Sequence, residues 1–352
     1  MSAILIVKTA ALGDVLRTTS ILPGLRSASP EAAVTWATAP AAVDLVRTHP
    51  LVGEVVALDA SRPDDVDAWT SRLARRAFER VISLDDEAPL CRLASRMKCE
   101  RLSGAYQRPD GTLAYTDDTA PWFDMGLLSV HGKARADELK VLNQKSHPQI
   151  LAEMLGIEMG KPELHLPGDA RESAREFARR RGLGPGAPVI GLNTGAGGRW
   201  TSKQLPVERT VALARLVHEA LGGRVRFLVL GGESEVERNR AILTALSTAG
   251  LAESTVDAGC DNPLLAFAAR VGLCNVLVTS DSLALHVAVA LDVRVVAFFA
   301  PTSGAEIELY GRGEKVVSTA PDYCSYRADA DNASITPERL RDAVMRQLGA
   351  GR

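Results

Sequence analysis

Residues 4–26 read ILIVKTAALGDVLRTTSILPGLR. Ile4 to Val7 is an unbroken apolar run, which predicts a strand covered on both faces, as in a parallel sheet. Thr9 to Gly13 are small and permissive and predict a turn. Val15, Leu16, Ile21, Leu22 and Leu25 then recur at roughly helical spacing and predict an amphipathic helix. Asp14 stands at the head of that helix, beyond the carboxyl end of the strand, where open α/β sheets bind their ligands. Two roles stay open on these residues alone: an acid that caps the helix and complements its dipole, or an acid that faces a ligand.

The same pattern recurs outward along the chain. Short β-like runs at Ala33–Ala37, Val52–Ala57 and Val81–Leu84 alternate with helical stretches, which means a parallel sheet. Asp85, Asp86 and Glu87 follow the third run and read best as an acidic helix start. Residues 103–122 turn polar and predict a hairpin or long loop on the ligand-facing rim. Lys133 to Gly156 is helical with a break at Pro148; Lys140, Lys145 and His147 there read as a solvated face before an anion-binding one. Lys161–Asp169 (KPELHLPGD) carries two prolines and a glycine and predicts the linker. Beyond it the alternation restarts with strands at Val189–Leu192, Val225–Leu230, Val276–Thr279 and Val293–Phe299. The expectation is two Rossmann-like, doubly wound α/β domains, 1–168 and 169–352, facing each other across a cleft in a GT-B-like architecture. The closing helix, Pro337–Leu348, is expected to pack back on the first domain.

At 352 residues, 46% of them hydrophobic, the chain has material for two cores. A net charge of −2 and 5% aromatic residues argue against a nucleic-acid partner. No apolar stretch approaches the ~20 residues of a spanning helix, and the N-terminus lacks the regions of a cleaved signal peptide. The five cysteines are scattered without metal-ligand spacing, so a reduced, cytoplasmic chain is expected.

Asn193–Lys203 (NTGAGGRWTSK) joins a strand end to small residues and a lysine, so backbone amides can approach phosphate oxygens closely while Lys203 adds a charge. The order is neither that of a P-loop nor that of a dinucleotide fingerprint, which leaves a nicotinamide oxidoreductase the least favoured class. Glu233, in the glycine pair's loop after VRFLVL, either accepts from a ribose diol or begins a helix. SDSLALH, Ser280 to His286, opens a helix whose unpaired N–H groups suit a pyrophosphate. Asp281 or Ser282 caps it, and His286 falls one turn inside, either reaching the ligand or packing beneath the loop.

Together these segments resemble glycosyltransferase family 9, the ADP-heptose transferases of lipopolysaccharide inner-core assembly. Residues 4–26 are similar to that family's opening block, and LNTGAGGRWTSKQLP, LGGESEVE, SDSLALHVAVALDVRVVAFFAPT and ELYG resemble its later blocks in order. The resemblance implies an inverting transfer of a sugar from a nucleotide-sugar donor, ADP-linked, to a glycan or lipid-linked glycan acceptor at the inner membrane surface. It implies that Asp14 is the catalytic base, that Thr194 and Gly195 line the donor phosphates with Lys203 reaching phosphate or sugar, and that Glu233 holds the ribose. Asp281 would bind the sugar, Ser282 and Leu283 would face the diphosphate, and His286 matches the family histidine. No metal and no cofactor are expected. Leu283 departs from the family's glycine and narrows the approach to the phosphate; Ala300 of FAPT is a second departure. The alternatives are the same donor site with another glycan or a small natural product as acceptor, a sugar-nucleotide epimerase or hydrolase, and a non-catalytic binding module.

Overall fold

The computed structural model describes residues 2–197 and 200–350. The chain divides into two compact units, residues 1–165 and 166–352.

In the first unit the apolar runs become strands β1 (Ala3–Val7), β2 (Ala33–Thr38), β3 (Glu54–Ala57), β4 (Ala77–Ser83), β5 (Lys98–Gln107) and β6 (Leu113–Tyr115), in the order β3-β2-β1-β4-β5-β6. All pair in parallel except the β5–β6 hairpin. β1 is central, which is why Leu5, Ile6 and Val7 are fully buried. The polar stretch at residues 103–122 holds the expected hairpin, the end of β5 turning back into β6. β5 runs through Gly104, whose φ of +123° and place against Ser83 admit no side chain: a Cβ there would stand 1.8 Å from the Ser83 carbonyl oxygen.

The second unit holds β7 (Val189–Asn193), β8 (Arg226–Val229), β9 (Thr255–Asp257), β10 (Val276–Ser280), β11 (Arg294–Phe299) and β12 (Gly313–Val317), all parallel, in the order β12-β11-β10-β7-β8-β9. β9 and β12, at the sheet edges, have little buried apolar surface of their own and lacked a sequence signal. The final helix, Pro337–Gly349, lays Leu340, Ala343 and Val344 into the core of the second unit, with Val217, Val296 and Val316.

Each sheet therefore winds outward in both directions from its first strand. The chain reverses winding between β1 and β4 in one unit and between β7 and β10 in the other. Such reversals open a crevice at the carboxyl ends of the two strands, the usual ligand position in wound sheets. Among the described residues no helix is long and apolar enough to cross a membrane.

Candidate active site

At the first reversal, β1 ends and Lys8 and Thr9 turn over the sheet edge. Both are tied to Asp85 at the end of β4: Lys8 Nζ pairs with one carboxylate oxygen, and the Thr9 N–H and hydroxyl donate to the other, the hydroxyl at 2.9 Å. Asp85 is only 5% exposed, so this acid fixes the turn rather than starting a helix in solvent. The buried indole of Trp36 donates to the Lys8 carbonyl at 3.3 Å and holds the turn from the other side. Glu87, next along, has its carboxyl raised by burial and by the neighbouring charge of Asp85.

That turn delivers Asp14, on the first turn of helix Leu12–Thr18. Its Oδ2 accepts from the Ala11 N–H at 3.3 Å, and Arg17 Nη2 lies 2.8 Å from Oδ1. The Arg17 guanidinium is in turn stacked over Trp122, 5.7 Å from the ring centroid, with His147 edge-on behind the indole at 5.0 Å. The Asp14 carboxylate is thus held at two points and remains about one-third exposed. His147 is buried and Lys145 pairs with Glu153 at 2.6 Å, so these residues form no common basic face with Lys140.

At the second reversal, Asn193 Nδ2 donates to Thr279 Oγ1 at 3.3 Å, joining β7 to β10, and a cavity of about 380 Å³ opens above them. Its walls are Asn193, Ala196 and Gly197 after β7, Gly231 to Glu235 after β8 without Glu233, Asn262, Leu264 and Phe267 on one flank, and Ser282 to Ala284 at the head of helix Leu283–Ala290. Leu264, Phe267 and Leu283 make it partly apolar, as a ring-shaped ligand requires. The helix head contributes backbone N–H groups without intrahelical partners and the positive end of the dipole. Gly198 and Arg199, in the glycine loop, lie outside the described residues.

The acid that organises this cavity is Glu235. It is buried, accepts from the Gly197 N–H at 2.7 Å and the Gly232 N–H at 2.9 Å, and so fastens the loops after β7 and β8 to each other. Gly195 is required by the same contact, since a Cβ there would stand 2.5 Å from Glu235 Cγ. Glu233 is exposed beside the cavity rather than in its wall. The signal for Glu235 was present in the sequence as a second acid two residues after Glu233, but only the meeting of two glycine loops distinguishes them.

Thr194 faces inward. Its hydroxyl and carbonyl receive Arg238 Nη2 at 2.9 and 3.0 Å, and Thr210 adds a hydroxyl contact at 3.1 Å. Burial pulls the Arg238 guanidinium below its ordinary range. Thr194 and Arg238 therefore shape the loop while the backbone beyond them meets the cavity. The Gly195 carbonyl is held by Ser280 Oγ at 3.2 Å.

Beside the helix head, Lys203, Asp281 and His286 meet. Lys203 Nζ donates to Asp281 Oδ2 at 2.9 Å and to its carbonyl at 3.1 Å, and lies 5.3 Å from the Trp200 ring centroid. His286 is buried with Nε2 3.9 Å from Asp281 Oδ1. Ser282 stands at the N-cap position, but its hydroxyl makes no capping bond to the helix and lies 3.0 Å from Thr279 Oγ1. The structure thus brings Lys203, Asp281, Ser282, Leu283 and His286 together from segments about 80 residues apart. The arrangement pairs a cation with a helix N-terminus, which suits a diphosphate, and places a carboxylate beside them, which suits sugar hydroxyls.

Solved structures share this fold. A family 9 glycosyl transferase from Veillonella parvula is similar over 99% of this chain and 98% of its own, with a TM-score of 0.80 at 20% identity. The ADP-heptose lps heptosyltransferase II of E. coli matches over 100% and 99%, with a TM-score of 0.67 at 17% identity. E. coli heptosyltransferase WaaC with ADP matches over 98% and 99%, with a TM-score of 0.62 at 17% identity. No curated protein matches significantly in sequence. The model of the family described as glycosyltransferase family 9 (heptosyltransferase) matches residues 115–334, more than half of the chain. With two wound parallel-sheet units and a match of that extent, this chain belongs to glycosyltransferase family 9 and is a glycosyltransferase of GT-B fold.

Proposed function

We propose that the enzyme transfers heptose from ADP-heptose, with inversion, to a hydroxyl of a glycan acceptor such as the lipopolysaccharide inner core. The observation that carries this reading is the Lys203–Asp281–His286 cluster beside the head of helix Leu283–Ala290, next to a cavity large enough for a nucleoside. The similar E. coli structures named for ADP-heptose and for ADP support the choice of donor.

In this reading the base lies between Phe267 and Leu283, and the ribose reaches toward Glu233 at the rim. The diphosphate meets the backbone N–H groups of Ser282, Leu283 and the loop following Gly195. Lys203 turns part of its charge from Asp281 to a phosphate oxygen, and Asp281 accepts from the sugar hydroxyls. The acceptor oxygen attacks the anomeric carbon as the bond to the diphosphate breaks, and its proton passes to Asp14. A carboxylate pinned by Arg17 and the Ala11 N–H is ionised and oriented for that step. The charge growing on ADP is met by fixed dipoles and a lysine already in place. We place the enzyme in the cytoplasm, in keeping with five cysteines scattered along the sequence without a disulfide or metal-ligand pattern.

The test is ADP release from ADP-heptose with and without candidate acceptors. Release that requires an acceptor and yields a glycosylated product supports the proposal. Release in buffer alone points to a hydrolase, and binding without turnover with any acceptor points to a binding module.

A further inference from the structure

We propose that His49, Glu163 and His165 bind a divalent transition-metal cation of the zinc class, at a site separate from the sugar-transfer machinery. His49 lies in the turn between helix Val43–Val46 and β3, on the amino side of the sheet, away from the carboxyl edge that carries Asp14. Glu163 and His165 lie in the extended segment that closes the first unit. One ring nitrogen of each histidine and one oxygen of the glutamate lie within 4.8 Å of one another, and no other such group exists among the described residues.

Three observations set this cluster apart from a chance meeting of side chains. His49 is 3% exposed, yet its Nε2 has no hydrogen-bond partner, which is rare for a buried polar atom. His165 Nε2 and Glu163 Oε2 already lie 2.9 Å apart, and the two imidazoles meet edge to face at 5.0 Å. The backbone beneath the ligands is tied down, since the Thr48 hydroxyl donates to the His165 carbonyl at 2.6 Å and the Glu163 N–H donates to Thr19 Oγ1 at 3.1 Å.

Two imidazoles and a carboxylate, with water as a fourth ligand, form a common zinc donor set. Tetrahedral bonds of about 2.0–2.2 Å put ligand atoms about 3.4 Å apart, so Glu163 and His165 must spread slightly from 2.9 Å while closing on His49, which their half-exposed side chains allow. As the ring stands, the Leu51 N–H donates to His49 Nδ1 at 3.2 Å, so the ring proton sits on Nε2. Coordination at Nε2 shifts that proton to Nδ1 and opens the long Leu51 contact, and the proton between His165 Nε2 and Glu163 likewise moves to the other ring nitrogen or to solvent. The cation would cross-link the last residues of the first unit to the His49 turn, a structural role.

The experiment is titration of the chelator-treated full chain with Co²⁺ and then Zn²⁺, followed by visible absorption and thermal unfolding. One equivalent of Co²⁺ should give the strong absorption of a four-coordinate ion, Zn²⁺ should displace it, and Tm should rise with metal. His165→Ala and Glu163→Gln change exposed side chains and should each weaken binding at least tenfold, with the fold intact by circular dichroism. No stoichiometric binding by the unaltered chain, or binding unchanged in both variants, overturns the proposal.

Discussion

Arg17 Nη2 stands 2.8 Å from Asp14 Oδ1, one turn along the same helix, with the guanidinium backed by the face of Trp122. An acid at the head of a helix needs no such partner to be stable there. The stacked arginine instead limits where the carboxylate can point, which matters only if something must meet it.

Arg17→Gln should therefore lower kcat about tenfold while leaving ADP affinity unchanged, since a charge-assisted contact of this kind contributes about 1.5–3 kcal/mol. Steady-state kinetics beside calorimetry separate the two quantities. An unchanged kcat would mean that Arg17 serves only the packing around Trp122.

Lys203 and Asp281 should separate under substitution although they are bonded to each other. Lys203→Ala removes the cation and should weaken ADP binding about tenfold to a hundredfold. Asp281→Asn should scarcely change ADP binding but should weaken binding of the complete sugar donor, because its carboxylate is assigned to the sugar. Calorimetry with ADP and with ADP-heptose tests both, and equal losses for the two ligands would refute the division.

Glu235→Gln replaces one accepting oxygen by an amide that faces a glycine N–H. The variant should lose about 1.5–3 kcal/mol of stability in denaturant unfolding and bind ADP more weakly, because the loops after β7 and β8 come apart. Glu233→Gln should leave stability unchanged.

Thiol chemistry gives an independent check on the cores. Burial pushes the thiols of Cys91 and Cys274 up to about 12, and Cys324 is 2% exposed. Cys99 and Cys260 are also raised by burial but are reachable from solvent. Because the thiolate is the reactive form, native alkylation followed by mass spectrometry should label Cys99 and Cys260 slowly and the other three only after unfolding. Rapid labelling of Cys274 would contradict its place beneath β7.

Much of this is legible in the sequence. The unbroken apolar run at Ile4–Val7 implied a central parallel strand, and the restart at Val189 implied a second wound unit, because burial on both faces leaves a direct mark on composition. The edge strands β9 and β12 and the first half of β5, before the hairpin, were not legible, since a strand supported by pairing does not require a continuous apolar run. Lys203, Asp281 and His286 were each visible as motif residues, but their meeting depends on sheet order. The place of Asp85 in the turn and of Glu235 between two loops was not legible, because what distinguishes each is burial against a distant loop. The final helix was legible as amphipathic, but that pattern shows only that one face is covered and is silent about which core covers it.

The most direct test of the account is sugar transfer by Asp14→Asn, with ADP binding measured on the same preparation. The account predicts ADP affinity within about twofold of the unaltered enzyme and transfer reduced about a hundredfold or more, the usual weight of a general base. Undiminished transfer by a protein that still binds ADP would contradict it and return Asp14 to the ordinary role of an acid at a helix head.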